Sequence, residues 1–450
     1  MKAEGGKGAR TVSPARRAAF SILRRVEDEG AYAAVLLAAS EDEMRAEDRA
    51  LCYELVLGTL RWQLWLDSLI EHYAGRRAES LDAPVRRALR LGLYQLRRLS
   101  RIPASAIVNE SVNLAYLSRL RSAASFINAV LRRAAREPDY DPAASVADAV
   151  ERLAIETSHP AWLLKRWIKA FGMEEAGAFA RANNEAPPVS FRLITRRGNE
   201  EGILDELRGA GGVLHPSRIV SEGWRIEGAG KALRALAHAG KIYLQDESSQ
   251  LVAHVIDAQA GERVLDVCAA PGSKTTHIAT RTPGISLIVA GDLHEHRLRT
   301  VMEAGARQEI KTLRAVVHDG ENNLPFIEDS FDRVLLDAPC TGTGTLRRNP
   351  EIRWRITAQD VLDLSARQSR LLAHAARMVR RGGRLVYSTC SVEQEENEDV
   401  VASFLKRDAE FKLLPLDMAV SLQHEGHAMR IWPHKQGADG FYIAAFERRG

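Results

Sequence analysis

Along its first third the chain places apolar residues at helical intervals. Phe20, Leu23 and Val26 follow Ser13-Pro14, a pair suited to the N-cap and first turn of a helix. Trp62, Trp65, Leu66, Leu69 and Tyr73 keep the i, i+3, i+4, i+7 spacing, and further amphipathic stretches run at about 47–60, 84–98, 105–117 and 123–136. Little here alternates with period two. Residues 1–142 therefore predict an all-α bundle whose Trp and Leu stripes form its core. The breaker-rich Glu137-Pro-Asp-Tyr-Asp-Pro142 closes it.

Residues 143–240 predict a small α+β module. A Trp-rich helix from His159 to Phe171 is followed by a Pro187-Pro188 break, a strand over Val189–Ile194 and a helix over 199–210. From 241 to 450 the pattern changes again. Near-continuous apolar strands are expected at Arg263–Cys268, Ile285–Asp292, Thr312–Asp319, Phe331–Asp337 and Gly383–Thr389, with helices at 273–281, 294–306 and 358–380. Strands of this kind separated by helices predict a parallel sheet covered on both faces, so the chain is multidomain with a C-terminal α/β, Rossmann-like domain.

Composition narrows the class. The 450 residues are 45% hydrophobic and 27% charged, which is ordinary globular usage. The most obvious apolar run, Ala31 to Ala39, is far shorter than the ~20 residues a bilayer needs. The N-terminus carries lysines and arginines without an apolar stretch, so no secretory signal is expected. Four cysteines without a CxxC pair exclude a disulfide framework and a zinc ribbon. The expectation is a cytoplasmic monomer with no metal and no membrane partner. Net charge is only +4, but residues 76–136 hold 13 arginines against Glu79, Asp82 and Glu110. Arginine forks grip phosphate, so this zone reads as a nucleic-acid face or, equally, as solvated helix faces.

Ligands of parallel α/β sheets sit at the carboxyl ends of the strands. Collected there are Cys268, Ala269, Ala270, Pro271, Gly272, Ser273 and Lys274, then Asp292, Asp319, Asp337-Ala-Pro-Cys340 and Thr389-Cys390. The tight Ala-Ala-Pro-Gly turn suits close approach of backbone N–H groups to a nucleoside, and Asp292 falls where a ribose-diol acceptor belongs. Neither G-x-G-x-x-G nor a Walker A motif is present. A cofactor with an adenosine but no phosphates, S-adenosylmethionine, fits better than a dinucleotide or ATP.

The expected sheet order makes the fourth and fifth strands neighbours, which brings Cys340 and Cys390 together beside that cofactor. Carbon 5 of a pyrimidine is a poor nucleophile until a thiolate adds at carbon 6. Asp337 could hold the ring-nitrogen and amino edge and stabilise the adduct. Methylation of an exocyclic amine would need no cysteine. Which of the two thiols attacks is not assigned by spacing. Cys52, on an apolar helical face, reads as inert, and Cys268 as a packing residue.

Ala106-Ile-Val-Asn-Glu-Ser-Val-Asn-Leu-Ala115 and Phe126-Ile-Asn-Ala-Val-Leu-Arg132 resemble the NusB-like RNA-binding domain. Asp266-Val-Cys-Ala-Ala-Pro-Gly-Ser-Lys-Thr275, Leu336-Asp-Ala-Pro-Cys-Thr-Gly-Thr-Gly344, Arg348-Asn-Pro-Glu-Ile-Arg-Trp354 and Tyr387-Ser-Thr-Cys-Ser391 resemble the RsmB (Sun/Fmu) branch of RNA cytosine-5 methyltransferases, which the closing run Gly440–Phe446 also fits. The resemblance covers nearly the whole chain. It implies methylation of a cytosine of 16S (small-subunit) ribosomal RNA, with Cys390 as the attacking nucleophile and Cys340 assisting release. It also implies cofactor contacts at Cys268 through Lys274, Asp292, Asp319 and Asp337.

One departure stands out: the family has Gly-Gly-Lys where this chain has Gly272-Ser273-Lys274. If the second position needed positive φ, serine would strain it; otherwise serine is expected to cap the next helix. Tyr243–Ser249 is placed beside the pocket by likeness, although helix capping explains its Asp and Ser equally well. Arg347, Arg348, Asn349, Arg353, Trp354 and Arg355 read as a basic loop that stacks on bases and binds RNA phosphate. A transfer-RNA cytosine-5 methyltransferase and a non-catalytic RNA-binding assembly factor are the alternatives.

Overall fold

The structure, a computed structural model, describes residues 12–40, 44–118, 120–194, 199–416, 424–425 and 427–450. The chain packs as two units, residues 1–185 with 346–355, and residues 186–345 with 356–450. The boundaries expected at 142 and 240 lie inside these units. The helices after the breaker pack with the bundle, and the small sheet packs with the C-terminal α/β domain.

The first unit is all α: α1 (Pro14–Asp28), α2 (Ala33–Ala39), α3 (Ala46–Arg61), α4 (Gln63–Ala74), α5 (Ala83–Arg98), α6 (Ala104–Leu117), α7 (Ala124–Arg136), α8 (Ala149–Thr157), α9 (Ala161–Phe171) and α10 (Met173–Ala182). Leu23, Val26, Leu66, Leu69 and Tyr73 are buried, as their spacing requires. Ser13 precedes α1 without capping it. Instead Glu110 of α6 accepts from the Ser13 N–H (2.9 Å) and hydroxyl (2.7 Å) and pairs with Arg16, placing an anion at the positive end of α1.

Part of the arginine zone is absorbed by this packing. Arg87 bonds Glu27 and Asp28, and Arg90 bonds Glu27 and Asp67, both from buried positions. Arg98 stacks over Trp62 at 3.7 Å, and Arg133 pairs with Glu137. Arg76, Arg77, Arg98, Arg101, Arg121, Arg132 and Arg136 are exposed, so an arginine-rich face remains on the bundle.

The second unit begins with β1 (Val189–Leu193), β2 (Val213–Pro216), β3 (Gly223–Glu227) and β4 (Ile242–Leu244), an antiparallel sheet in the order β2-β3-β1-β4. Phe191, Ile226 and Ile242 pack it against the helices Glu200–Gly209 and Gly230–His238. The main sheet contains β5 (Arg263–Asp266), β6 (Leu287–Asp292), β7 (Leu313–Val317), β8 (Phe331–Asp337), β9 (Val379–Thr389), β10 (Phe411–Leu413), β11 (His424–Glu425), β12 (Ala428–Ile431) and β13 (Phe441–Arg448). Its order is β11-β12-β13-β9-β8-β5-β6-β7, with β10 also on β13. The strands β7, β6, β5, β8 and β9 are parallel, and β13 closes antiparallel on β9.

Burial on both faces explains the continuous apolar strands: Val264, Leu265, Val334, Leu335 and Val386 are all fully enclosed. The strand order switches at β5, with β6 added on one side and β8 on the other, so the carboxyl ends of these parallel strands and of β9 face one crevice. Among the described residues no helix is long and apolar enough to cross a membrane.

Candidate functional site

After Asp266 the chain makes a compact turn. The Ala269 N–H bonds Gly291 O at 2.8 Å and the Gly272 N–H bonds Ala269 O at 2.7 Å, so these two amides serve the turn itself rather than a ligand. The Ala270–Pro271 peptide is cis. Gly272 is the residue at positive φ (102°), and a Cβ there would press on Val301 at 3.0 Å. Ser273 opens the helix Ser273–Arg281 and is not among the positive-φ residues. Serine is therefore unstrained at the position where the family has glycine. It does not cap either: the N-cap is Gly272 and no side chain supplies the bond.

The helix aims Lys274 and Thr275 back over the strand ends. Thr275 donates to Asp266 at 2.6 Å, and burial still pushes the Asp266 carboxyl up to about 7. Asp292, 5% exposed at the end of β6, accepts from the His294 N–H at 3.0 Å and pairs with Arg297 at 3.3 Å. Asp319, two residues past β7, accepts from the Glu321 N–H (3.0 Å) and the Asn322 amide (2.8 Å).

Between these acids sits His318, which the sequence reading missed. Both of its ring nitrogens are buried without a hydrogen-bond partner, and burial holds it below the ordinary histidine value, hence neutral. Two carboxylates and an unpartnered imidazole at adjacent strand ends fit the hydroxyls and polar ring atoms of a nucleoside.

Cys340 and Cys390 meet as the sheet order requires. Asp337 on β8 lies opposite Ser388 on β9, the Ala338 N–H bonds Ser388 O at 2.9 Å, and the two sulfurs are 3.4 Å apart. The Cys390 sulfur and burial together push the Cys340 thiol well above its ordinary value. Cys340 is thus the protonated partner that can donate to Cys390.

Asp337 accepts from Lys274 Nζ (2.6 Å) and from the Ser388 hydroxyl (2.8 Å). Burial opposes the Lys274 ammonium, but Asp337, with Cys390 and Asp266, more than offsets it and raises its affinity for the proton. The ammonium also lies 5.2 Å from the centre of the Phe441 ring on β13. Burial pushes the Cys52 thiol up to about 11 and Cys268 higher still, so both are poor nucleophiles, as expected.

Glu396 is the other residue that went unseen. It lies in the acidic run Glu393-Gln-Glu-Glu-Asn-Glu398, which looks like a solvated surface, yet it is fully buried behind the cysteines.

The Tyr243–Ser249 segment caps and braces. Asp246 accepts from the Ser248 N–H at 2.9 Å, opening the helix Glu247–Ile256. Gln245 accepts from Arg192 at 3.0 Å, and Arg192 continues to Thr276 and Thr280 on the helix after the compact turn.

The expectation of an RNA-binding basic loop at 347–355 is corrected for Arg347 and Arg353, which are buried. This segment belongs to the helical unit. Arg347, Glu351 and Arg353 are buried. Arg353 is held by Ser158 O (3.1 Å), Asn184 Oδ1 (3.0 Å) and Asn183 O (3.3 Å). The Trp354 indole donates to Leu60 O at 2.7 Å, and Arg355 to Val26 O at 2.8 Å. Arg353, Trp354 and Arg355 thus serve acceptors of the helical unit, while Arg348 and Asn349 are half-buried.

The reversed parallel sheet and its polar strand-end edge define a methyltransferase domain of the Rossmann-like kind, here equipped with paired thiols. The chain belongs to the 16S rRNA methyltransferase RsmB/F family, whose profile matches residues 253–447. A NusB family profile matches 13–136, and an RsmF/B-like ferredoxin-like domain profile matches 159–232. The chain is 33% identical to the probable ribosomal RNA small subunit methyltransferase B of Bacillus subtilis (strain 168), over 97% of this chain and 99% of that one. It is 35% identical to ribosomal RNA small subunit methyltransferase B of Pseudomonas putida (strain KT2440), over 91% and 92%. The crystal structure of PH0851 superposes with a TM-score of 0.83 at 30% identity, covering 97% of this chain and 99% of that one.

Proposed function

We propose that this chain transfers a methyl group from S-adenosylmethionine to carbon 5 of a cytosine in 16S ribosomal RNA through a covalent adduct with Cys390. The observation that carries this reading is the 3.4 Å approach of two thiols beside the Lys274–Asp337 pair. A methylase of an exocyclic amine has no use for such a pair. The relatives' names favour ribosomal over transfer RNA.

S-adenosylmethionine supplies an electrophilic methyl on a sulfonium. The residues that would hold it are the turn Cys268–Lys274, Asp292, Asp319 and Asp337, with His318 between the strand-end acids. Cys390 adds as thiolate to carbon 6 of the cytosine, and the electron pair displaced toward carbon 5 takes the methyl group as the methyl–sulfonium bond breaks, its electrons staying on the thioether sulfur of S-adenosylhomocysteine. A base then takes the carbon-5 proton, the carbon–sulfur bond breaks, and the ring recovers its aromaticity.

Lys274 stabilises the attacking thiolate electrostatically. Asp337, fixed by Lys274 and Ser388, presents its carboxylate to the ring-nitrogen and amino edge. Cys340, which keeps its proton, donates toward the departing sulfur of Cys390 and so favours release. The target base must leave any helix to reach these groups.

The test is methylation of 16S RNA by purified variants, read by bisulfite sequencing and denaturing gels. Cys390→Ala is expected to abolish transfer while keeping cofactor affinity. Cys340→Ala is expected to accumulate a denaturation-stable protein–RNA adduct. Such an adduct with Cys390→Ala instead would exchange the two roles, and full activity of Cys390→Ala would remove the mechanism.

A further inference from the structure

The two cysteines sit on separate loops, one after β8 and one after β9. Their own side chains share one weak thiol hydrogen bond at 3.4 Å, too little to fix two loops. The flanking residues are held instead, and the bonds converge on one buried carboxylate. Glu396 Oε1 accepts from the Thr341 N–H (2.9 Å) and from the Gln368 amide (2.9 Å). Its Oε2 accepts from the Thr341 hydroxyl (2.5 Å) and from the Ser391 hydroxyl. Gln368 also donates to Pro339 O at 2.9 Å. The residues on both sides of Cys340 and the one after Cys390 are thereby tied to a single group. The next residue completes the grip: Asn397 accepts from the Thr389 hydroxyl (2.6 Å) and donates to Ser391 O (3.0 Å). Tyr387 fixes Glu396 from behind by donating to its carbonyl at 2.5 Å.

We infer that Glu396 is a positioning residue which sets the separation and mutual aim of the Cys340 and Cys390 sulfurs, through direct bonds to Thr341 and Ser391 and through Gln368 to Pro339. It is fully buried and all its bonds run to these protein groups, so it does not touch the base undergoing reaction. The catalytic meaning of that separation rests on the cytosine-5 reading above. The geometric assignment does not.

The bonding pattern separates a positioning role from an acid–base one. The two fixed N–H donors meet Oε1, and the two rotatable hydroxyls meet Oε2. A glutamine can put its carbonyl in place of Oε1 and its NH₂ in place of Oε2, with both hydroxyls turned to accept. Glu396→Gln should therefore preserve the clamp, and Glu396→Ala should lose it.

The experiment uses the full-length protein and two readouts. The first is the rate at which dibromobimane, which fluoresces on joining two close thiols, bridges Cys340 and Cys390 without RNA or cofactor. Cys340→Ala supplies the background. The second is kcat and KM for methylation. Glu396→Ala is expected to slow bridging about tenfold and to lower kcat by about a hundredfold, with both KM values within about twofold, because sulfur placement rather than binding has changed. Glu396→Gln is expected to recover both rates to within about threefold.

Bridging by Glu396→Ala at the wild-type rate would overturn the assignment. So would Glu396→Gln failing as badly as Glu396→Ala, which would show that the charge or a proton is what matters. If Glu396→Ala does not fold, Gln368→Met removes the arm to Pro339 together with one donor to Glu396, and leaves the Thr341 and Ser391 bonds. Bridging several-fold slower supports the clamp, and an unchanged rate refutes it. Since bridging needs no RNA, a wild-type protein that bridges normally but methylates no cytosine would sink the cytosine-5 reading and leave the clamp standing.

Discussion

Replacing Arg353 tests whether the 346–355 segment is an internal part of the helical unit. The guanidinium is fully buried, and its polar partners are neutral: Ser158 O, Asn184 Oδ1 and Asn183 O, with Leu346 O and Arg61 O at 3.5 Å. Burial holds it well below the ordinary arginine value, which measures how strongly these acceptors must compensate for lost water. Truncation to alanine strands at least three buried acceptors, at about 1–3 kcal/mol each. It also empties the volume of a long side chain, worth about 2–5 kcal/mol when the site cannot collapse. Against this, the cost of dehydrating a lone cation disappears, which is several kcal/mol. The balance for Arg353→Ala is a loss of about 3–5 kcal/mol. Arg353→Met keeps most of the volume and should lose about 2 kcal/mol less. Denaturant titration followed by far-ultraviolet circular dichroism reads the unfolding of helices in both units, the all-α one included. RNA affinity measured against salt should keep its slope in the methionine variant, because no phosphate contact has gone. An Arg353→Ala protein as stable as wild type, with a shallower salt slope, would mean that the side chain faces RNA and that the burial argument is wrong.

Other consequences can be measured on the same protein. Asp266 titrates at about 7 when folded and at 3.8 when unfolded. Ionisation therefore costs nothing below pH 3.8, penalises the fold increasingly up to pH 7, and costs about 4 kcal/mol at most above it. Asp266→Asn keeps an acceptor for Thr275 and should raise the melting temperature at pH 8 but hardly at pH 4; equal shifts at both would exclude ionisation as the cause. Gly344→Ala would place a Cβ 2.1 Å from Gly440 O and 2.8 Å from Cys390 O, backbone atoms that cannot swing aside. It should cost about 1–3 kcal/mol and shift the Cys390 loop enough to suppress methylation. Normal activity and melting would contradict the crowding.

Much of the fold was legible in the chain because its causes are local. The strands β5 and β6, and the inner parts of β8 (Val334–Leu336) and β9 (Leu385–Thr389), are enclosed on both faces and read as near-continuous apolar runs. Helices α1, α4 and α7 bury one stripe each and read by spacing. The short edge strands did not read: β2 is mostly exposed and β10 spans only Phe411–Leu413, too little for any period to register. The cysteine pair was reachable because sheet order follows from the strand–helix alternation.

Glu396 and the 346–355 segment were not reachable, for one shared reason. Polar side chains buried against partners distant in sequence look the same as polar side chains in water. Glu396 meets Thr341, 55 residues away, and Arg353 meets Ser158, 195 residues away. Only the folded backbone says where those acceptors and donors are. The Ser273 departure illustrates the converse: which residue of the turn takes positive φ is decided by close approach to Val301, a contact the motif does not contain.

The path of the chain also limits how this protein can be rearranged. It passes from one packing unit to the other after residues 185, 345 and 355. A gene cut at the first of these yields a front half with a hole where Arg353 belongs, and a rear half trailing an arginine- and tryptophan-bearing strap with no host. Chimaeras that exchange front halves among relatives, in order to redirect the enzyme to another RNA, must therefore carry 346–355 with the donor bundle, although those codons lie in the middle of the catalytic reading frame.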